Sequence, residues 1–477
     1  VFKNFDGSGR KPRQVQEEAL SFIEANKDKK VIAITAPCGS GKSAIAKAVM
    51  DEFKDAAYIT SENSLVQQMS KFYPDLNVLI GKKHYKCSKS PGVSCEVAWQ
   101  SRKHKACDNC AYYKARIRAI RGKEPTCFNA ISYYYAQKDP FWTNPKVVIV
   151  DEADKLVDLL MLISGEVFNC KYQPPKSMEF IEIADWLRTK AEVLQKLVDV
   201  GKNVDKNLNE YMRVTRLIDA IETSPSHYTH SYEEDGSLVV YPIDPPRELI
   251  DRILNCDLLI LMSATLYKSD IEELTTLPYA HIELASPIDE ARRRVVVDTS
   301  VGRGFNSRTD AAVIAEWVKK VIANYPGRNT VVHVTYSLSK KLKPHFKEAY
   351  VNTPENKEEV LKSFTETGGL WLASGASEGL DLYGDLCRLN IVPVLPRPNI
   401  MDPVQKRRLA LPHGSWRYNI RVIKTIQQQA GRSTRNEEDE SKVVIAGTGI
   451  LSLASEFRED LPKGFTETLH RRNHWIV

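Results

Sequence analysis

The 477-residue sequence predicts an α/β protein built on two parallel sheets, and three observations predict it. Short β-branched apolar runs alternate with helix-patterned stretches, which is how strands buried on both faces read. One of these runs feeds a glycine-containing phosphate loop and then a helix. A second set of such runs begins near Ser286-Pro287-Ile288, after the first has ended.

The loop is Ala36-Pro37-Cys38-Gly39-Ser40-Gly41-Lys42-Ser43, between the apolar run Val31 to Thr35 and the helix-forming stretch Ala44 to Phe53. Gly39 and Gly41 let backbone N–H groups curl around phosphate oxygens, and the helix that follows points its positive end at them. Ser40 lies between the two glycines, Lys42 is placed to reach the β- and γ-phosphates of ATP, and Ser43 to ligate Mg²⁺. The usual first glycine is Ala36 here. Upstream, Gln16 is the first candidate for reading an adenine edge through its amide, with Gln14 the alternative; either also suits a plain surface position.

Composition is that of an ordinary water-soluble chain, 42% hydrophobic and 27% charged. No apolar run approaches the roughly 18 residues of a membrane span, so no membrane role is expected and the chain should act in the cytoplasm where it is made. The net charge of +6 is unevenly placed: Gly81 to Lys123 holds twelve Lys or Arg against Glu96 and Asp108, leaving about −4 for the remainder. Basic charge focused in this way, with Tyr85, Trp99, Tyr112 and Tyr113 among the cations, suits a polyanion whose bases can stack. A solvated lysine-rich face is the plainer alternative. Four of the nine cysteines, Cys87, Cys95, Cys107 and Cys110, fall in the same window.

Further along, Ala57 to Thr60 reads as a strand followed by Ser61-Glu62-Asn63-Ser64, hydroxyls and amides on the ligand-bearing rim of a parallel sheet. Val147 to Val150 delivers Asp151-Glu152-Ala153-Asp154. Asp151 there would hold a hydrated metal and Glu152 would activate the attacking water, whereas helix capping is the simple alternative. Gln173 to Thr223 is helical and charged, and Asp235-Gly236 marks a hairpin turn. Asp257 to Met262 is another buried strand, leading to Ser263-Ala264-Thr265-Leu266, whose hydroxyls can bond the carboxylates of the 151–154 segment. In the second unit, strands are expected at Val295 to Val297, Val331 to Val334, Leu370 to Ala373, Leu389 to Val392 and Val443 to Ile445, with a helix at Ala311 to Ala323. Two stretches there carry chemistry: the glycine-rich Ser374-Gly375-Ala376-Ser377-Glu378-Gly379-Leu380-Asp381, and Gln428-Gln429-Ala430-Gly431-Arg432-Ser433-Thr434-Arg435. Two guanidiniums three residues apart can stabilise the charge of a transferring γ-phosphoryl group.

Taken in order, these stretches resemble the helicase motifs of superfamily 2, specifically its iron-sulfur branch typified by XPD and DinG. The resemblance runs from Arg13-x-x-Gln16 through the phosphate loop, Asp151 to Asp154, Ser263 to Leu266 and Glu378-Gly379-Leu380-Asp381 to Gln428-x-x-Gly431-Arg432-x-x-Arg435. The branch rests on Gly81-Lys82-Lys83-His84-Tyr85-Lys86-Cys87 and Cys107-Asp108-Asn109-Cys110-Ala111-Tyr112-Tyr113. By that resemblance Cys87, Cys95, Cys107 and Cys110 are the ligands of a 4Fe-4S cluster, with Cys127 beyond the expected set. Tetrathiolate zinc is the rival, although only Cys107 and Cys110 form a Cys-x-x-Cys pair. Lys82, His84, Ala111 and Asp154 depart from the family's usual Arg, Asn, Pro and His.

The resemblance implies two RecA-like motor domains, with an iron-sulfur module and a helical arch inserted in the first. The implied boundaries are 1–80, 124–160 and 242–285 for the first motor domain, 81–123 for the cluster module, 161–241 for the arch and 286–477 for the second motor domain. It further implies an ATP-dependent DNA helicase moving 5′→3′ on single-stranded DNA and unwinding forked or tailed duplexes, expected as a monomer. Lys42, Asp151, Glu152, Gln428, Arg432 and Arg435 are its implied catalytic residues. Gln16, Gly39, Ser40, Gly41, Lys42, Ser43, Glu378, Gly379 and Asp381 are its implied nucleotide-contacting residues. Two alternatives stay open: a nucleic-acid-dependent ATPase that remodels protein–DNA complexes without unwinding, and a redox-sensing DNA-binding protein with a vestigial ATPase.

Overall fold

A computed structural model describes the chain apart from residues 1–10, 62, 90–91, 101–109, 122–123, 170–174, 176–178, 203, 224, 233–235, 245–246, 376–381, 383, 413, 435–437 and 473–477. It divides into two compact units, one of residues 1–156, 251–398 and 416–477, the other of residues 157–250 and 399–415.

The larger unit holds two seven-stranded sheets, each parallel throughout. Across the first, the strands run Tyr279–Glu283, Val31–Thr35, Leu258–Ser263, Val147–Asp151, Ala56–Thr60, Thr126–Asn129 and Asn77–Leu79. Its central strands are buried along their whole length, as their unbroken apolar runs require. Helices Gln14–Ala25 and Lys42–Phe53 cover one side through Ala19, Ile23, Ile45 and Val49. Because every strand runs the same way, Thr35, Thr60, Asp151 and Ser263 end on one rim, and the phosphate loop joins them there.

Across the second sheet the strands run Tyr350–Val351, Leu370–Ser374, Thr330–Val334, Leu389–Val392, Lys442–Ala446, Val295–Asp298 and Leu469–Arg472. Helix Ala311–Ala323 lies on one side through Ile314, Val318 and Val321. Helix Gly414–Ala430 packs with the cluster containing Val422, Ile423 and Ile426. The expected strands are therefore found, with ends shifted by no more than one residue.

The smaller unit is built on a pair of helices, Phe180–Asp199 and Val204–Thr223, packed through Ile183, Leu187, Leu194, Val214, Leu217 and Ile221. A three-stranded antiparallel sheet, Glu166–Asn169, Ser237–Pro242 and Tyr228–Tyr232, completes it. Tyr232 pairs with Leu238, so the chain reverses across the expected Asp235-Gly236 position, of which Gly236 is described with φ 81°. Arg408, on helix Pro403–Leu409, ties the later segment to the earlier one by donating to Asp158 Oδ1 at 3.0 Å and to the Ile243 carbonyl at 3.2 Å. Among the described residues, no helix is long and apolar enough to cross a membrane.

Candidate active site and its surroundings

Gly39 and Gly41 take φ of 82° and 83°, the left-handed region that a side chain disfavours. At Gly41 space forbids one as well, since an added Cβ would lie 2.2 Å from Gln16 Nε2 and 2.7 Å from the Arg13 guanidinium. Gln16 thus reaches the phosphate loop. Its Oε1 accepts from the Arg13 backbone N–H at 2.9 Å, closing the first turn of helix Gln14–Ala25. The loop is held from below by the Ala36 N–H donating to the Ser263 carbonyl at 2.9 Å. The Thr35 hydroxyl donates to the Leu266 carbonyl at 2.7 Å and accepts from His281 Nε2 at 2.9 Å. Lys42 Nζ rests on the Ala36 carbonyl at 3.3 Å, while Ser43 is half-buried beside it. The Ser40 hydroxyl is buried with no hydrogen-bond partner among the described atoms.

Asp151 closes its strand on the rim facing this loop. Burial pushes its carboxyl upward, the Lys42 ammonium draws it back, and neighbouring Glu152 pushes it up again. Both oxygens are engaged: Tyr58 donates to Oδ2 at 2.6 Å and the Glu152 N–H to Oδ1 at 3.0 Å. Glu152 itself has φ 54° and ψ 43°, a left-handed conformation that costs a non-glycine residue energy. Only Lys54 shares a positive φ among the described non-glycine residues, so the turn that aims the Glu152 carboxylate is an enforced one.

Asp154, three residues on, accepts from Ser263 Oγ at 2.5 Å and from Thr265 Oγ1 at 2.7 Å. Burial raises its carboxyl to about 6, against the opposing pull of Lys424. Thr265 Oγ1 in turn accepts from Gln428 Nε2 at 3.2 Å. An Asp154–Thr265–Gln428 chain therefore links the carboxylates of the first sheet to helix Gly414–Ala430 of the second. That crossing is reinforced by Tyr267 donating to Gln427 Oε1 at 2.8 Å, by Gln427 Nε2 donating to the Ala264 carbonyl at 3.0 Å, and by Lys424 gripping both oxygens of Asp270 at 2.5 and 2.6 Å. Gly431 meets the phosphate loop directly: a Cβ there would fall 2.5 Å from Cys38 Sγ. The Gly431–Ser433 turn carries Arg432 on its backbone. Arg435, Glu378, Gly379 and Asp381 lie outside the described residues.

Three of the four proposed thiolate ligands are described. Cys87, Cys95 and Cys110 are buried, and Cys107 lies outside the described residues. An antiparallel Lys86–Ser94 bridge brings the Cys87 and Cys95 segments side by side, and the Cys87 N–H donates to the Val93 carbonyl at 3.0 Å. Tyr112 packs edge-on against Tyr85 at 5.4 Å between centroids, and burial pushes its hydroxyl above the ordinary tyrosine range, with smaller contributions from Cys95 and Cys110. Cys110 opens helix Ala111–Arg121 and its Sγ accepts from the Tyr113 N–H at 3.3 Å. Among the described residues, no three His, Cys, Asp or Glu side chains form a ready metal site. Three buried free thiols, Cys87, Cys95 and Cys110, are nonetheless a donor set whose chemistry fits a thiolate-bound metal.

Tyr58 and the buried polar residues His333 and Asn390 escaped the sequence reading. Each is a lone polar residue inside an apolar strand, which was the signal available.

Comparison with known families accounts for this arrangement. A family described as a helicase C-terminal domain matches residues 310–468, and one described as the res subunit of type III restriction enzymes matches residues 10–171. The chain is thus similar to superfamily 2 helicases of the XPD/DinG kind. Among solved structures, one titled XPD helicase is 15% identical, with a TM-score of 0.64 over 97% of this chain and 100% of its own. A second, the Xpd4 protein of S. tokodaii, is 15% identical with a TM-score of 0.59 over 96% and 100%. At such identity these structures speak for the fold alone. No curated protein sequence matches the chain. The helicase domains make it an ATP-dependent nucleic-acid helicase.

Proposed function

We propose that this XPD/DinG-like helicase acts on DNA, moving 5′→3′ along a single strand and separating forked or tailed duplexes as a monomer. The observation that carries the motor reading is the Asp154–Thr265–Gln428 chain, because it couples the carboxylates beside the phosphate loop to the sheet bearing Arg432. In this reading Gly39, Ser40, Gly41 and Lys42 bind the phosphates of ATP. Ser43 and Asp151 hold the Mg²⁺ that accompanies it, and that ion would neutralise charge developing between the β- and γ-phosphates. Glu152 orients and deprotonates the attacking water. Gln428, Arg432 and Arg435 would act on the γ-phosphate as the second motor domain's contribution, so that nucleotide would draw the two domains together and its loss release them. Glu378, Gly379 and Asp381 complete the nucleotide contacts, and Gln16 reads the adenine.

Several features support a nucleic-acid strand along the same rim. The Thr60, Ser61 and Ser374 hydroxyls, at the carboxyl ends of strands in both sheets, are buried without partners among the described atoms. Such hydroxyls suit phosphate oxygens. Next to the cysteine segment, Phe141 and Tyr135 are 64% and 59% exposed. The Arg121 guanidinium stands 5.1 Å from the Phe141 ring centroid, and Lys138 Nζ 4.2 Å from that of Tyr134. Aromatic rings paired with cations suit bases and phosphates together. Cys87, Cys95, Cys107 and Cys110 would hold a 4Fe-4S cluster, which would supply a rigid fold to a basic module with little apolar core.

The deciding experiment measures ATP turnover with DNA and RNA oligonucleotides, and strand displacement from duplexes tailed at either end. Displacement from 5′-tailed DNA, abolished by Lys42→Ala and by Glu152→Gln, is expected. Stimulation by RNA alone would sink the DNA assignment, while DNA-stimulated turnover without displacement would point to remodelling of protein–DNA complexes.

A further inference from the structure

The middle of the second sheet contains a buried polar chain that its apolar strands do not explain. Asn390 lies within Leu389–Val392, between Val331 and Val443 of the flanking strands, and is fully buried. Asparagine is disfavoured in strand interiors, and its amide must find partners when removed from water. It finds them through both ends of the amide. Asn390 Nδ2 donates to Ser433 Oγ at 2.7 Å and to Ser441 Oγ at 3.2 Å, while Oδ1 faces His333 Nε2 at 3.0 Å. With the carbonyl oxygen accepting, His333 carries its proton on Nε2. His333, Ser433 and Ser441 are themselves buried, and the Ser433 hydroxyl also hydrogen-bonds the buried Cys387 thiol.

Ser433 is the last residue of the Gly431–Ser433 turn and adjoins Arg432. The turn ends helix Gly414–Ala430, lies against Cys38 of the phosphate loop at Gly431, and buries Ser433 and Thr434. Fixing Ser433 from beneath fixes the direction in which the turn leaves helix Gly414–Ala430. We propose that Asn390 is a positioning residue for phosphoryl transfer: through Ser433 it sets the turn that carries Arg432, and so the arginine's approach to the γ-phosphate. This rests on the reading of Arg432 given above. A small misplacement of a charge-stabilising group lowers turnover while leaving nucleotide affinity nearly intact.

The test compares Asn390→Leu, Ser433→Ala, the double variant, Ser441→Ala and Arg432→Ala in full-length protein, measuring kcat, KM for ATP and the thermal unfolding midpoint. Asn390→Leu and Ser433→Ala are each expected to lower kcat about tenfold or more with KM within threefold. The double variant should be no worse than the poorer single one, because both act through one contact. Ser441→Ala, which removes the other acceptor, should lower kcat far less than Ser433→Ala. The proposal is overturned if folded Ser433→Ala keeps kcat within threefold of the parent, if Ser441→Ala matches its loss, or if KM moves instead of kcat. Should Asn390→Leu fail to fold, the milder Ser433→Ala decides alone. Full turnover by Arg432→Ala would overturn the reading of the arginine and this proposal with it; an inactive Arg432→Ala beside an unaffected Ser433→Ala would overturn this proposal only.

Discussion

Tyr58 and Asp151 sit on adjacent parallel strands, 93 residues apart in sequence, and the tyrosine hydroxyl donates to Asp151 Oδ2 at 2.6 Å. With Oδ1 taken by the Glu152 N–H, the carboxylate is locked in one orientation on the rim. A hydrogen bond to a charged acceptor contributes about 1.5–3 kcal/mol, or roughly ten- to a hundredfold in an equilibrium or rate. Tyr58→Phe should therefore raise the Mg²⁺ concentration that half-saturates ATP turnover by about tenfold. Because the tyrosine's bond lowers the Asp151 carboxyl, its removal should also move the acid limb of the pH–rate profile upward. An Mg²⁺ titration and a pH profile of turnover that both match the parent would show that Tyr58 only fills the core.

Asp154 carries a pH dependence of its own. Its carboxyl, raised by burial from 3.8 to about 6, accepts two hydroxyl hydrogen bonds when ionised. Asp154→Asn can accept through one atom only, so turnover should fall by about tenfold, and the inflection near pH 6 should vanish from the rate profile. The stability effect has a fixed sign. A folded value above the unfolded one favours the native state at acid pH, and that contribution is withdrawn as pH rises through about 6. The thermal midpoint of Asp154→Asn, measured against the parent, should accordingly shift in the variant's favour between pH 5 and pH 7.5.

How much of this was legible follows from what sets each feature. The phosphate loop, the buried strands and the serine and threonine that bond the 151–154 carboxylates are local patterns, set by β-branched runs, glycines and rim position. They stand where the sequence puts them. The Tyr58–Asp151 bond depends on strand order, which places Ala56–Thr60 beside Val147–Asp151, and no local pattern encodes that neighbour. Asn390 is likewise a weakness in an apolar run until Ser433 is seen beside it. The association of residues 399–415 with the helical unit hangs on Arg408 finding Asp158, 250 residues away.

Gly431 should be intolerant of any side chain. A Cβ there would meet Cys38 Sγ at 2.5 Å and Cys38 Cβ at 2.9 Å, both closer than real contacts allow. Gly431→Ala should push the arginine turn off the phosphate loop and cut kcat by about a hundredfold, on the scale of losing one charge-stabilising group. Adding Cys38→Ala removes the sulfur and leaves the Cβ, so partial recovery is expected. Equal kcat for the single and double variants would place the defect elsewhere than in this contact.

The cysteine module makes the sharpest compositional prediction. Cys87, Cys95 and Cys110 are buried free thiols in a segment rich in lysine and arginine, where a bound metal would help to organise the fold. Protein purified without oxygen should contain about four irons and four sulfides per chain, and Cys110→Ser should lose them. The Ala19, Ile23 and Ile45 core beneath the phosphate loop is formed without these thiols, so Cys110→Ser should keep its basal ATP turnover while losing strand displacement. One zinc with no sulfide would leave the ATP site as described and remove the ground for a cluster. Loss of basal turnover together with the metal would mean that the module also supports the fold of the first sheet, through the contact of Asn77 Nδ2 with the Ala115 carbonyl at 3.2 Å.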